Sequence, residues 1–389
     1  MDHYVALLRG LPAAQQPVWD DDRALREVRA ELAARPALVR ARDVRELRSL
    51  LARAAAGAVT VVQTGDCAEN PDESTRGDVA RKAALLDLLA GTLKAVTHTP
   101  VLRVGRMAGQ YAKPRSAGTE VVAGRTLPVY RGHMVNSPEP DPELRRPDPR
   151  RILAGYDAAR DVMRHLGWCG TTPGHGVDPT VWTSHEALLL DYELPMVRGD
   201  ENGAPVLAST HWPWVGERTR QPDGAHVALL ATVVNPVACK VGPGTTPAEL
   251  LALCERLDPH RDPGRLTLVA RMGAAAAASR LPPLVRAVRR AGHPVLWLCD
   301  PMHGNTVSGR DGRKTRVVET VVHEVEAFQE AVTEAGGVAA GLHLETTPDD
   351  VLECVPQEAS EDTGGKYTSF CDPRLNPGQA VAVAAAWRG

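Results

Sequence analysis

The chain has 389 residues and a mass of 41.7 kDa, which suits two ordinary domains or one large single-core architecture such as an α/β barrel. Charged residues make up 24% and AVILMFWYC 43%, which excludes disorder for most of the chain, and a net charge of −3 gives no global field to hold nucleic acid or an anionic membrane. No apolar stretch approaches the ~20 residues that span a bilayer, and MDHYVALLRG lacks a basic region followed by a long apolar run, so a cytoplasmic location is expected.

From about Asp20 to Ala56, apolar positions recur at helical spacing, as in DRALREVRAELAA and VRELRSLLARAAAG. Residues 1–56 are therefore expected to form a helical segment packed on the body of the protein. From 57 to 389 one unit recurs: a short β-branched apolar run ending in a polar residue, then a loop, then a helical stretch. The runs are VTVVQTGDC (59–67), PVLRVGR (100–106), VWTSHE (181–186), LASTHW (207–212), ACKVG (238–242), LTLVAR (266–271), VLWLCDPMH (295–303) and AAGLHLE (339–345). Helical patterns lie between the later runs, at 246–257, 281–292 and 316–337. Strands alternating with helices imply parallel pairing. About eight such units predict a single (β/α)8 barrel of the α/β class. The absence of GxGxxG after an early strand argues against an open dinucleotide-binding sheet.

Two loop-rich stretches are expected at the barrel mouth, where either could serve as a lid. One runs from about Arg131 to Val181 around the helix RILAGYDAARDVMRHL, and the other from Val355 to Lys366. Seven cysteines without CxxC pairs read as buried thiols or ligands.

Cys67, Arg106, Glu186, Lys240, Arg271, His303 and Glu345 each fall at or just past the end of a run. In a barrel those ends converge on the mouth that carries the chemistry, although wet loops also place charges beside strands. Cys67, His303, Glu345 and Asp372 offer a thiolate, an imidazole and two carboxylates, a set that suits a borderline divalent ion: Mn²⁺, Co²⁺, Zn²⁺ or Fe²⁺. Arg106, Lys113, Arg115, Arg218, Lys240 and Arg271 offer two-point and point-charge grips for phosphate or carboxylate, whereas Arg220 reads as a surface ion-pair partner. Residue chemistry alone thus points to a metal-assisted barrel enzyme acting on small phosphorylated anions.

The segments QTGDCAE, RVGRMAGQYAKPRS, WTSHEALLLDYE, WVGERTRQPDGAHV, NPVACKVGPG, LVARMGA, CDPMHGNT, HLETTPDDVLEC and CDPRLN, with PAAQQPVW near the N-terminus, resemble in order those of the class II 3-deoxy-D-arabino-heptulosonate 7-phosphate (DAHP) synthases. The resemblance covers almost the whole chain. It implies a transferase with a (β/α)8 barrel that condenses phosphoenolpyruvate with erythrose 4-phosphate, entering the shikimate pathway. It implies metal ligands Cys67, His303, Glu345 and Asp372, with Mn²⁺ or Co²⁺ leading over Zn²⁺ or Fe²⁺. Phosphoenolpyruvate would be held by Arg106, Glu186, Glu217, Arg218, Lys240 and Arg271, and erythrose 4-phosphate by Lys113, Pro114, Arg115 and Ser116. Lys240, Arg271, Glu217 and His303 would form the catalytic group.

Several positions depart from the family pattern. Thr64 stands where glycine is usual, His133 replaces an aspartate, and Pro356 and Gln357 replace a glycine pair; these are expected to face the mouth and to bear on the aldehyde acceptor. The chain also lacks a long N-terminal extension and a helical insert between Tyr156 and Val181 found in feedback-regulated relatives. Insensitivity to aromatic amino acids and a role in secondary metabolism are expected from this. The alternatives are an aminoDAHP-type synthase using a modified aldehyde, or a non-catalytic relative that regulates a partner enzyme. The expected partners are small phosphorylated substrates, a second copy of the chain and a chorismate mutase. Cys67 and Cys371 are expected near the metal, where a redox disulfide would eject it.

Overall fold

The computed structural model describes residues 2–122, 124–168, 178, 180–309, 312–357 and 365–388. Eight strands form its centre: β1 (Thr60–Gly65), β2 (Val101–Arg106), β3 (Trp182–Thr183), β4 (Trp214–Val215), β5 (Val237–Val241), β6 (Leu266–Ala270), β7 (Leu296–Cys299) and β8 (Ala339–Glu345). All pair in parallel, in the order β3-β2-β1-β8-β7-β6-β5-β4. The two edges meet through a parallel bridge between Glu186 and Trp214, with Trp212 N–H donating to Thr183 O and Trp214 N–H to His185 O, both at 3.1 Å. This is the expected (β/α)8 barrel.

The strands are buried on both faces, which is why they read as near-continuous apolar runs. Val61, Val104, Trp182, Ala238, Val269 and Leu298 fill the interior, and Leu47, Leu51 and Ala54 of the helix Ala41–Ala55 pack into the same cluster. Outward-facing Val62, Cys239, Leu268 and Trp297 pack against the surrounding helices. Parallel register sets the rim: Gly65 lies opposite both Arg106 and Glu345, so the last residues of β2, β1 and β8 share one level.

The run LASTHW is not a barrel strand. Pro205–Leu207 pairs antiparallel with Val197–Gly199 in a side hairpin, and the chain re-enters the barrel only at Trp214. Ser209, Thr210 and His211 are buried polar connectors between two equally apolar runs, so periodicity alone does not separate them. The helix Arg76–Thr97, unannounced by the sequence patterns, lies between β1 and β2. Thr75 Oγ1 accepts from Asp78 N–H at its start, but alanines spread round the helix blur the contrast between its faces. A hairpin of Thr119–Val122 and Arg125–Pro128 comes after the KPRS turn. Parts of both predicted mouth loops, 169–177 with Cys169 and 358–364, lie outside the described residues. Among the described residues, no helix is long and apolar enough to cross a membrane.

Candidate active site

Buried carboxylates shape the rim. Glu69 accepts from the N–H groups of Ala108, Gly109 and Gln110 at 2.9, 2.9 and 2.6 Å and so clasps the turn that follows Arg106. A Cβ on Gly109 would come within 2.1 Å of His185 Nδ1, so only glycine fits that turn. Arg374 ties the last motif down, donating to Asp66 Oδ1 at 2.6 Å and to Glu353 Oε1 at 2.9 Å.

Cys67, Glu345 and Asp372 offer ligand atoms that all lie within 4.8 Å of one another. Cys67 Sγ lies 3.5 Å from Asp372 Oδ2, and His303 Nε2 lies 3.2 Å from Glu345 Oε1. Asp300 accepts from the other ring nitrogen of His303 at 2.8 Å, fixing the ring with Nε2 toward Glu345. With Nδ1 committed to Asp300, Nε2 meets the carboxylate favourably when a proton or a cation lies between them. Burial raises the Glu345 carboxyl, but His303, Arg316 and Arg106 outweigh it and hold the group well below the usual carboxylate range. Arg316, itself fully buried, donates to Glu345 Oε2 at 2.9 Å. Burial, the neighbouring Cys371 thiol and the charge of Glu345 push the Cys67 thiol well up, so it ionises there only beside added positive charge. Cys67 and Cys371 are both free thiols. The donor set and its spacing fit a divalent cation.

A pocket opens beside this cluster, lined by Arg106, Lys113, Pro114, Glu186, Glu217, Arg218, Lys240, Arg271, His303 and Asp372 among others. Arg106 is buried, with its fork fixed by His343 Nε2 at 3.1 Å and Glu345 Oε1 at 3.2 Å. Lys113 Nζ donates to Cys67 O at 2.8 Å, and Arg271 Nη2 donates to His303 O at 3.1 Å. Lys240 Nζ meets Asp300 Oδ2 at 2.5 Å, yet burial, helped by Arg106 and Arg271, brings its pKa down to about 8. Asp300 is shared with His303, which weakens its hold on Lys240. The free enzyme therefore carries the Lys240 charge below about pH 8 and sheds it above. We expect kcat/KM for an anionic substrate to fall about tenfold per pH unit beyond that point, and Lys240→Arg to remove the fall; a flat wild-type profile to pH 10 would contradict this.

Glu186 is raised by burial, and its Oε1 has no partner. Glu217 gives one oxygen to Arg220 at 2.8 Å and leaves Oε2 unpartnered. Arg220 is an ion-pair partner as expected, but a largely buried one that holds the pocket residue Glu217 rather than a surface one, while the exposed Arg218 donates to Ser116 Oγ at 2.8 Å. Arg115 does not line the pocket; Glu120 holds it at 2.8 Å, and Cys371 Sγ lies 3.8 Å from its Nη1. His343, Gln110 and Trp214 line the pocket without having been picked out from the sequence. His343 stands two positions before Glu345, so strand alternation with Glu345 was the available signal.

Thr64 does not face the mouth. It sits within β1, buried, with its hydroxyl 2.8 Å from that of Thr346. Period-2 alternation explains this: Gln63 points inward to His343 and Ser184, so Thr64 points out. Thr64→Val is expected to cost about 1–2 kcal/mol, through the buried Thr346 hydroxyl it strands, while leaving both KM values unchanged; denaturant unfolding and steady-state kinetics check this. Pro356 and Gln357 are exposed beside the start of the helix Val318–Glu334 and do not line the pocket. His133 packs edge-on to Tyr130, with its Nδ1 2.5 Å from Tyr130 Oη, and edge-on to Phe370, the chain neighbour of Cys371.

A closed parallel barrel that gathers a sulfur and two carboxylates, with His303 beside Glu345, next to a cation-lined pocket at its C-terminal rim defines a barrel enzyme for small anions. Within that class, the chain belongs to the class-II DAHP synthetase family, whose model matches residues 4–171 and 161–387. It is an enzyme of the DAHP synthase type, a transferase. It is 57% identical over 378 residues to a probable phospho-2-dehydro-3-deoxyheptonate aldolase of Pseudomonas fluorescens, covering 97% of this chain and 94% of that one. It is 39% identical over 425 residues to a phospho-2-dehydro-3-deoxyheptonate aldolase of Streptomyces coelicolor, with 97% and 94% covered. The fold is shared with the phospho-2-dehydro-3-deoxyheptonate aldolase structure from Francisella tularensis, at TM-score 0.54 and 13% identity over 99% of this chain and 97% of that one.

Proposed function

We propose that this chain condenses phosphoenolpyruvate with erythrose 4-phosphate to give DAHP and phosphate, as the first step of the shikimate pathway. The observation that carries the reading is a shared wall. Glu345 bonds at once to His303, in the ligand cluster, and to Arg106, in the anion pocket, so both halves of the chemistry meet at one side chain.

Arg106, Lys240 and Arg271 hold the phosphate and carboxylate of phosphoenolpyruvate, with Arg218 closing the outer edge. Asp300 orients two of the working groups, Lys240 and His303, and both of its oxygens are in use. Cys67, His303, Glu345 and Asp372 hold a divalent ion, Mn²⁺ or Co²⁺ before Zn²⁺ or Fe²⁺. When bound, that ion supplies Lewis acidity toward the aldehyde oxygen of the acceptor. The KPRS turn, Lys113 to Ser116, receives the acceptor: Lys113 from the buried side, and Ser116 through its bond to Arg218. Once C3 of phosphoenolpyruvate has bonded to the aldehyde carbon, whose oxygen takes up a proton, Glu217, with its unpartnered Oε2, accepts the proton of the water that adds at C2, and the C2–O bond to phosphate breaks. Glu186, whose carboxyl is raised by burial, lines the same pocket. Phosphate then leaves into the grip of Lys240 and Arg271.

Regulation extends the reading. Alignments of 425 and 427 positions exceed this chain's 389 residues, so the Streptomyces coelicolor and Mycolicibacterium smegmatis relatives carry internal residues that it lacks. We propose that the chain is insensitive to Phe, Tyr and Trp and serves secondary metabolism, and that it self-associates and can meet a chorismate mutase. The experiment is product analysis with erythrose 4-phosphate and its amino analogue side by side, with and without each aromatic amino acid. The reading predicts DAHP at a rate the amino acids leave unchanged. Preference for the amino analogue would move the reading to an aminoDAHP-type synthase, to which His133 remains the pointer.

A further inference from the structure

Two loops form the far wall of the pocket: residues 271–274 after β6, with Arg271, and residues 300–305 after β7, with Asp300 and His303. They meet backbone to backbone. A Cβ on Gly304 would come within 2.4 Å of Gly273 N, and one on Gly273 within 3.1 Å of Gly304 O. Arg271 crosses this seam to reach His303 O. So close an approach leaves main-chain N–H groups that need acceptors from outside the two loops.

One carboxylate supplies them. Glu324 lies on the helix Val318–Glu334, which packs on β7 and β8, and it is 1% exposed. Its Oε1 accepts from Met272 N–H at 2.9 Å and Gly273 N–H at 2.8 Å, and its Oε2 accepts from Asn305 Nδ2 at 2.6 Å. Asn305 is fixed in turn: Nδ2 also donates to Pro301 O at 2.8 Å, and Oδ1 accepts from Ala274 N–H at 3.1 Å. Each donor and acceptor around Glu324 therefore has one role. Burial, reinforced by the charge of Asp300, raises the Glu324 carboxyl to about 7, so its environment disfavours the very charge the clamp uses. In sequence this residue reads as one more polar position of VVHEVEAF.

We infer that Glu324 is a positioning residue for phosphoenolpyruvate binding, clamping the Arg271 loop to the His303 loop through Met272, Gly273 and Asn305. The inference rests on the proposal that Arg271 grips phosphoenolpyruvate. Glu324 does not line the pocket.

The test is Glu324→Gln. The amide oxygen still serves Met272 and Gly273, but its NH2 then faces Asn305 Nδ2, donor against donor. Turning Asn305 round would break its bonds to Pro301 and Ala274. The expected result is a rise of about tenfold in KM for phosphoenolpyruvate, with KM for erythrose 4-phosphate within about twofold of wild type, as loss of one buried polar link implies. If Glu324→Gln does not fold, Asn305→Ala cuts the same link while sparing the Oε1 bonds, and it carries the same expected KM signature. A carboxylate with a purely structural role would lower the melting temperature and the active fraction and leave both KM values alone; that result overturns the inference. A wild-type enzyme without turnover on the two substrates would instead overturn the functional reading beneath it.

Discussion

Lys240→Ala is expected to lower kcat/KM for phosphoenolpyruvate by about a thousandfold, the scale at which removal of a single preorganised charge stabiliser is felt. The lysine is buried, its Nζ sits 2.5 Å from Asp300 Oδ2 and 5.9 Å from the centre of the Trp214 ring, and Arg106 and Arg271 complete the same pocket. Truncation removes a cation from the proposed phosphate site and, among the described residues, leaves Asp300 with His303 and two backbone N–H groups. Breaking one side of a buried pair costs about 3–5 kcal/mol of stability as a rule, so melting temperature is measured alongside kinetics. Lys240→Arg, which keeps the charge but not the shape, is expected to retain more stability than activity. A loss below about tenfold in a folded Lys240→Ala enzyme would remove Lys240 from the catalytic group.

Cys67→Ala is expected to be as damaging by a different route. It deletes the one sulfur donor of the cluster and leaves Asp372 without its 3.5 Å neighbour, while Glu345 keeps its bonds to Arg106 and Arg316. The fold should survive, because those arginines still neutralise the buried carboxylate. Affinity for Co²⁺ or Mn²⁺ should fall by more than the roughly 10–100-fold typical of residues that merely orient a ligand, and turnover should fall with it. Equilibrium dialysis reads the first effect, and the sulfur-to-cobalt absorption band reads it independently of activity. Unchanged binding with an intact band would exclude Cys67 as a ligand.

The legible part of the site owes its legibility to the geometry of a parallel barrel. Arg106, Lys240, Arg271 and Glu345 end or adjoin strands, and parallel strands bring their C-terminal ends to one rim, so counting along the chain was enough to gather them. Residues acting from other places were hidden. His343 lies inside a strand, where only alternation with Glu345 marks it, and Glu324 and Glu69 reach the rim from behind through backbone N–H groups, contacts that no spacing encodes. Thr64 shows the reverse error: it adjoins a motif that forms the mouth, but alternation turns its side chain outward to Thr346. LASTHW failed because its apolar run was real but belonged to a hairpin beside the barrel.

The central claim is that one rim unites a cation-binding cluster with a phosphoenolpyruvate pocket. Phosphate release by chelator-treated protein, supplied with phosphoenolpyruvate and erythrose 4-phosphate before and after addition of Mn²⁺ or Co²⁺, tests it most directly. The account predicts no turnover without the ion, and restored turnover with DAHP formed in step with phosphate. Full turnover in the chelated protein, or none with the ion demonstrably bound, would contradict it.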